Sequence, residues 1–295
     1  MPSWEDFKPF IITGLALGGV YALSGVGMVV LYRATGVLNL AFGAVGAMGA
    51  LIAWQLINHN GWSEGPAFVV CVLFGGAITL LYGVLFGPPL AARDALVKAV
   101  ATLGLALILL GVMDLVWSDK ARSMILPTSN NGFEVSDVFV NYTEVIAVGF
   151  GLLVTASTAL FLRFTKLGTA MRALANDREI TATLGVPVRR VEAAAWLGSG
   201  LLSGAAGLLL SNLVGLDAAT LTFLVISSLA ATLIGRLRSI TVTFVAAIVI
   251  GLVNALITPI LSISQYRDMT PFVLATIALL VLSGRRGSAL TGRAG

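Results

Sequence analysis

Charge is scarce in this chain: Asp, Glu, Lys and Arg make up 11% of its 295 residues, against about 25% in ordinary soluble domains. Cysteine is nearly absent. Cys71 is the single one, inside an apolar run, so no disulfide forms within the chain and the thiol reads as a small buried hydrophobe. Histidine is equally rare; His59 sits alone in the polar stretch NHNGWSEG, which excludes a multi-histidine metal site. No G-x-x-x-x-G-K-[ST] phosphate loop and no H-E-x-x-H helix occurs, so the chain carries no ATP site of its own, and no cofactor is expected. No His, Cys or acid cluster gathers at one membrane depth, which argues against a membrane enzyme. Carboxylates are missing from the middle of the apolar runs. Asp114 is the one well inside a run, about three residues from its end. Carriers driven by protons or sodium commonly place acids deep in the membrane, so this absence weighs against a self-powered carrier. The opening MPSWEDFKPF lacks a basic n-region, and the first apolar run is expected to remain as a span.

What the chain has is hydrocarbon. It is 58% hydrophobic with a mean hydropathy of +0.97. The apolar residues fall in nine runs: Phe10–Tyr32, Val37–Ile57, Ala67–Phe86, Ala99–Trp117, Val145–Leu162, Ala193–Leu213, Thr220–Ile234, Ile240–Ile260 and Pro271–Leu282. Most match the roughly 20 residues that span a bilayer; the seventh and ninth are short. The expected fold is an all-α polytopic transmembrane helical bundle of about nine spans, eight to ten, forming one membrane domain over 1–295. Basic residues set its orientation. Placing the insert Lys166–Trp196 in the cytoplasm puts 14 of the 18 Lys and Arg residues inside, which gives an outer N-terminus and a cytoplasmic C-terminus. The outer face then carries Glu5, Asp6, Glu64, Asp119, Glu134, Asp137, Glu144, Asp217 and Asp268. That acidic rim either docks a partner or collects acids simply because basic residues are excluded there.

The insert KLGTAMRALANDREITATLGVPVRRVEAAAW is the one long polar island. Asn176 followed by Glu179 reads as a capping box opening a short helix over about Asp177–Leu184. Gly185 and Pro187 then stop it. A capped helix between two spans suits a membrane subunit moved by a soluble motor.

Thirty-three glycines lie largely within the runs. Gly14-x-x-x-Gly18, Gly200-x-x-x-Gly204 and the series Gly43, Gly46, Gly49 place small residues where helix backbones can approach. Asn39 and Asn254 are the leading polar candidates for a lined pathway, with interhelical hydrogen bonding as the alternative.

The stretch GLALGGVYALSGVGMVVLYRATGVLNLAFGAVGAMGA, residues 14–50, resembles the opening of the permeases of branched-chain amino acid ABC importers. Gly14, Gly18, Tyr21, Ala22, Leu23, Asn39, Ala41 and Gly43 carry that likeness. PLAARDALVKAVATLGLALILLG, residues 89–111, is similar to a later family element. Gly168, Arg172, Ala173, Asn176, Ala182, Gly185, Val186 and Arg190 resemble the family's cytoplasmic coupling loop, here about 165–192. The likeness covers about residues 10–285 and looks closest to the shorter, H-type permease of the Liv family. Three places depart from the pattern: Phe42 stands where the family commonly has histidine, GRLRS at 235–239 where it has G-G-x-G-S, and GRRG at 284–287 where it has R-P-x-G-L.

The resemblance implies an ABC importer permease in the cell inner membrane. Its partners would be a second permease (a related chain or a copy of itself), two cytoplasmic ATP-binding subunits and an extracytoplasmic solute-binding protein, with no nucleic acid involved. Arg172, Asn176, Asp177, Arg178, Glu179 and Gly185 would couple to the ATPase. Tyr21, Asn39, Phe42, Thr102 and Asn254 would line the path. The implied permeants are leucine, isoleucine and valine; urea, short amides or other small organic solutes are the alternative, and an ion-driven secondary carrier is the rival of a different class.

Overall fold

The computed structural model describes residues 4–118, 122–124, 127–135, 138–260, 263–278 and 280. Helix forms within every one of the nine apolar runs. The first gives α1 (Trp4–Thr35), the next three α2 (Phe42–Asn58), α3 (Glu64–Leu90) and α4 (Ala95–Trp117). A one-turn helix α5 (Pro127–Asn130) and a hairpin of β1 (Gly132–Val135) and β2 (Val138–Asn141) lead into α6 (Tyr142–Phe164). The polar insert holds α7 (Lys166–Asn176) and α8 (Arg178–Thr183), followed by α9 (Val188–Val214), α10 (Ala218–Ile234) and α11 (Ile240–Ile257). A 3₁₀ turn, Ser264–Met269, precedes helical residues 270–278. Six of these helices (α1, α3, α4, α6, α9 and α11) are long and apolar enough to cross a membrane.

α1 is the hub. Ninety-four per cent of its apolar window is buried, against 17% in α6, so neighbouring helices surround α1 while α6 presents most of its surface outward. A helix apolar on every side belongs inside a bundle, and glycine lets its neighbours close on it. A methyl group added at Gly18 would meet Ile248 of α11, and one at Gly19 would meet Ala147 of α6. Along the α3–α9 seam, Gly75, Gly200 and Gly204 bring the two backbones into contact. Lipid tails are as apolar as the side chains, so such close packing, rather than hydrophobic burial, drives association of these helices.

Two expectations need correction. The run Val37–Ile57 is not one helix: residues 36–41 are non-helical, and α2 begins at Phe42. Between α4 and α6, β1 and β2 pair as a hairpin, with Val138 and Val140 of β2 buried and Phe139 exposed. Glu144 is not part of an open acidic rim. It is 8% exposed, completes a capping box with Asn141 at the start of α6, and accepts from Thr13 of α1 at 2.9 Å. Asp217 is likewise engaged, capping α10 through the Thr220 N–H. Asp119, Lys120, Asp137, the side chains of Asp6 and Asp268, and Arg285, Arg286 and Arg293 lie outside the described residues.

Candidate functional site

α1 ends because Gly36 turns left-handed (φ +67°), a conformation that glycine enters without steric cost. The chain then runs through residues 36–41 among packed helices, where Val37, Asn39 and Ala41 are all buried. Non-helical backbone at such depth is tolerated only when its polar groups find partners. Thr102 of α4, fully buried, supplies them: its hydroxyl accepts from the Leu40 N–H at 3.0 Å and faces the carbonyls of Leu38 (3.0 Å) and Ala99 (2.8 Å). Asn39 folds back so that its Oδ1 accepts from the Ala41 N–H at 3.0 Å, which leaves Nδ2 buried without a partner. No side chain caps α2, so the first-turn N–H groups of Phe42, Gly43 and Ala44 are left without a capping acceptor. Replacing Thr102 with valine keeps the shape and removes the hydroxyl. Orphaning a buried polar group costs about 1–3 kcal/mol, so thermal unfolding in detergent is expected to show Thr102→Val clearly destabilised and Thr102→Ser close to the parent.

Beside this break lies a small chamber of about 20 Å³ between α1, α2, α9 and α10, room for one water. Tyr21, Ser24, Phe42, Gly43, Ser203 and Ser228 are among its walls. Ser203 donates to the Phe42 carbonyl at 2.5 Å, tying the start of α2 to α9. Gly43 abuts the Thr222 backbone of α10, and Gly46 abuts Ser203 and Gly207 of α9. At both places backbone lies against backbone, which keeps the chamber narrow. Of the residues expected on a pathway, Tyr21 and Phe42 meet here. Asn39 sits just before Phe42 at the break, and the Thr102 hydroxyl is committed to holding that break. Asn254 lies elsewhere, in an open groove of about 410 Å³ with Thr220, Phe223, Pro271 and Phe272. Of the three serines, Ser203 lies with Ala206 and Gly207 in a small-residue span that resembles the family's, whereas Ser24 and Ser228 carry no signal in the sequence, since isolated serines are common in spans.

The insert contains two helices rather than one. Thr165 caps α7 by accepting from the Gly168 N–H at 2.9 Å. Gly168, Met171 and Leu174 form its buried stripe, with Met171 and Leu174 packed in the core around Val26, Val30 and Trp196. Asn176 is not the cap of α8: it remains the last residue of α7, and Asp177 turns extended and accepts from the Ile180 N–H at 2.9 Å. The capping box expected of Asn176 and Glu179 does not form, because one residue separates the helices and Asp177 occupies the junction. Gly185, at φ +82°, ends α8 in the left-handed conformation that favours glycine after a helix. Arg178 pairs with Glu192 at 3.0 Å and fixes α8 to α9. Arg172 and Glu179 are exposed. α8 and its cap present Ile180 (60% exposed) and Leu184 (76%) to the outside.

Long apolar helices around a small chamber, with a polar helix pair at one end, make this a multi-pass membrane protein. The chain belongs to the family described as branched-chain amino acid transport system permease components, whose model matches residues 10–282. It is 25% identical to the high-affinity branched-chain amino acid transport system permease protein LivH of Escherichia coli (strain K12), over 94% of this chain and 95% of that one. It is 33% identical to the probable branched-chain amino acid transport permease protein LivH of Methanocaldococcus jannaschii, over 74% of this chain and 71% of that one. It is also 27% identical to the permease protein LivM of E. coli K12, over 64% of this chain and 49% of that one. No solved structure matches. The protein is a multi-pass membrane transport subunit.

Proposed function

We propose that this chain is the permease subunit of an ATP-binding-cassette importer for leucine, isoleucine and valine. In this reading α8 is the coupling helix on the cytoplasmic side, working with a paired permease, two ATPase subunits and an outer binding protein. The observation that carries it is the pair of capped helices α7 and α8, rigidly tied to α1 and α9, with Ile180 and Leu184 left uncovered by the rest of this chain. Burying an aliphatic side chain stabilises an interface by about 1.5–3 kcal/mol, and a rigid helix transmits displacement where a loose loop would absorb it. Arg172, Asp177, Arg178 and Gly185 hold its shape, and Asn176 and Glu179 flank it.

The solute would pass along the seam of α1, α2, α9 and α10. Tyr21 and Phe42 close that route, and Asn39 and the uncapped start of α2 offer donors to a polar permeant. A chamber of about 20 Å³ is far below the size of an amino acid, so the seam must part by separating Gly43 from Thr222 and Gly46 from Gly207. The names of relatives over nearly the full length favour branched-chain amino acids, and the LivM likeness favours a related chain as second permease.

The direct test is reconstitution in proteoliposomes with candidate ATPase subunits and a binding protein from the same organism. Radiolabelled leucine should enter only with internal ATP, with valine and isoleucine competing. Uptake by the purified chain alone, driven by a proton or sodium gradient, would replace this reading with a secondary carrier.

A further inference from the structure

A second cavity, of about 270 Å³, opens where the end of α1 meets α7, α8 and the turn between α10 and α11. Three arginines line it, Arg33, Arg178 and Arg238, and no acidic residue does, although Arg178 is paired with Glu192 beyond the lining. Among the described residues the ion pairs are Lys8–Glu5 and Arg178–Glu192. Arg33, Arg238 and the neighbouring Arg172 take part in neither. Arg172 and Arg238 stand close enough to Arg33 for their charges to repel it. Arg33 is half-buried and donates to the Arg238 backbone carbonyl. Like charges gathered in a partly buried cleft are unfavourable until an anion joins them.

The rest of the wall identifies the anion. Leu174, Leu237 and Ala34 supply apolar surface beside the guanidinium groups, and Tyr32 and Thr35 belong to the last turn of the α1 span. A charged head joined to hydrocarbon fits a cleft that is cationic on one side, apolar on the other, and placed at the end of a membrane span. Guanidinium forks match phosphate oxygens in pairs, and basic pockets between spans are suited to lipid head groups. The tendency of arginine to collect on one membrane face places such residues near a surface. It does not converge three of them on one cavity: Arg189 and Arg190 are exposed on α9 without lining it.

We infer that this cleft binds the phosphate of an anionic phospholipid through Arg33 and Arg238, with Arg172 and Arg178 at its rim. A lipid seated there would bridge the end of α1 to the helix pair α7–α8 and stiffen the insert. The site is independent of which solute the permease carries.

The test uses the purified, delipidated full chain in mild detergent. Phosphatidylglycerol or phosphatidylcholine is added back, and bound lipid is counted by native mass spectrometry. The wild type should retain phosphatidylglycerol about tenfold better than phosphatidylcholine. The Arg33→Gln/Arg238→Gln variant should lose that preference, while Arg189→Gln/Arg190→Gln keeps it. If the first variant does not fold, Arg172→Gln/Arg238→Gln carries the same expectation, because both side chains are exposed. Equal retention of the two lipids by the wild type, or unchanged phosphatidylglycerol retention in the cleft variant, overturns the site. Displacement of the lipid by an equal concentration of glycerol 3-phosphate or inorganic phosphate reassigns the cleft to a soluble anion and overturns the lipid.

Discussion

Changing Ile180 and Leu184 together to aspartate is expected to abolish ATP-driven uptake while leaving the permease folded. Both side chains project outward, 60% and 76% exposed, and neither belongs to the buried core, so the chain should insert and accumulate as before. What the change removes is the apolar surface that a partner's cleft would cover. At about 1.5–3 kcal/mol for each buried side chain, the pair accounts for roughly 3–6 kcal/mol, or on the order of 10²–10⁴ in the affinity of the ATPase subunit. Introduced carboxylates add a desolvation cost to that loss. The measurement is co-purification of the ATPase with a tagged permease, followed by leucine uptake in proteoliposomes. An ATPase that still co-purifies at parental yield and drives uptake would show that α8 is not the docking helix.

The second large effect lies on α9, where two glycines one residue apart should respond in opposite directions to the same change. Gly200→Ala drives a methyl group into Thr79 and the Gly75 carbonyl of α3. The obstacle is mainly backbone, which cannot rotate aside, so the helices must separate along a seam that also depends on Gly75 and Gly204. Overpacking of this kind costs about 1–3 kcal/mol and sometimes more. Gly198→Ala meets nothing within 4 Å, and alanine is the better helix former by about 0.8–1 kcal/mol. Thermal unfolding in one detergent should therefore place Gly198→Ala above the parent and Gly200→Ala well below it. Two variants moving together would mean that α3 and α9 do not meet face to face.

Both predictions depend on detail that the sequence displays unevenly. Run length and hydropathy were enough to mark every long helix, because a segment such as residues 145–162 has no other stable form in lipid. The break at 36–41 was hidden. Val37, Leu38 and Leu40 are as apolar as any helical residues, and the stop comes from the backbone at Gly36 and from Thr102, 62 residues away along the chain. The insert was legible as a capped unit, yet its first helix was overlooked because α7 is polar on most of its surface. The spacing of Gly168, Met171 and Leu174 was the available sign. The cap fell on Asp177 rather than Asn176, a choice made by the end of the preceding helix and not by the local motif. The same N-x-x-E pattern does form a capping box at Asn141 and Glu144, where a strand and not a helix comes before it.

The candidate site divides along the same line. Tyr21 and Phe42 meet at the chamber because α1 and α2 both pack against α9 and α10, a convergence that the short connection between them does not announce. Asn254 is polar and within a span, but periodicity cannot say which helices surround it, and it faces a different groove. Ser24 and Ser228 become interesting only once their helices are seen to converge with α9, which carries Ser203.

The turn joining α10 to α11 carries an implication for how this protein can drift over time. Arg236 and Leu237 both hold positive φ angles, +53° and +55°, in a bend that costs an ordinary residue about 1–2 kcal/mol per position. Glycine at either place would relax the bend, so mutations toward glycine should accumulate there readily in lineages where nothing opposes them. Retention of two bulky side chains in spite of that strain would mark the bend as a place where selection favours what the side chains contact over the comfort of the main chain.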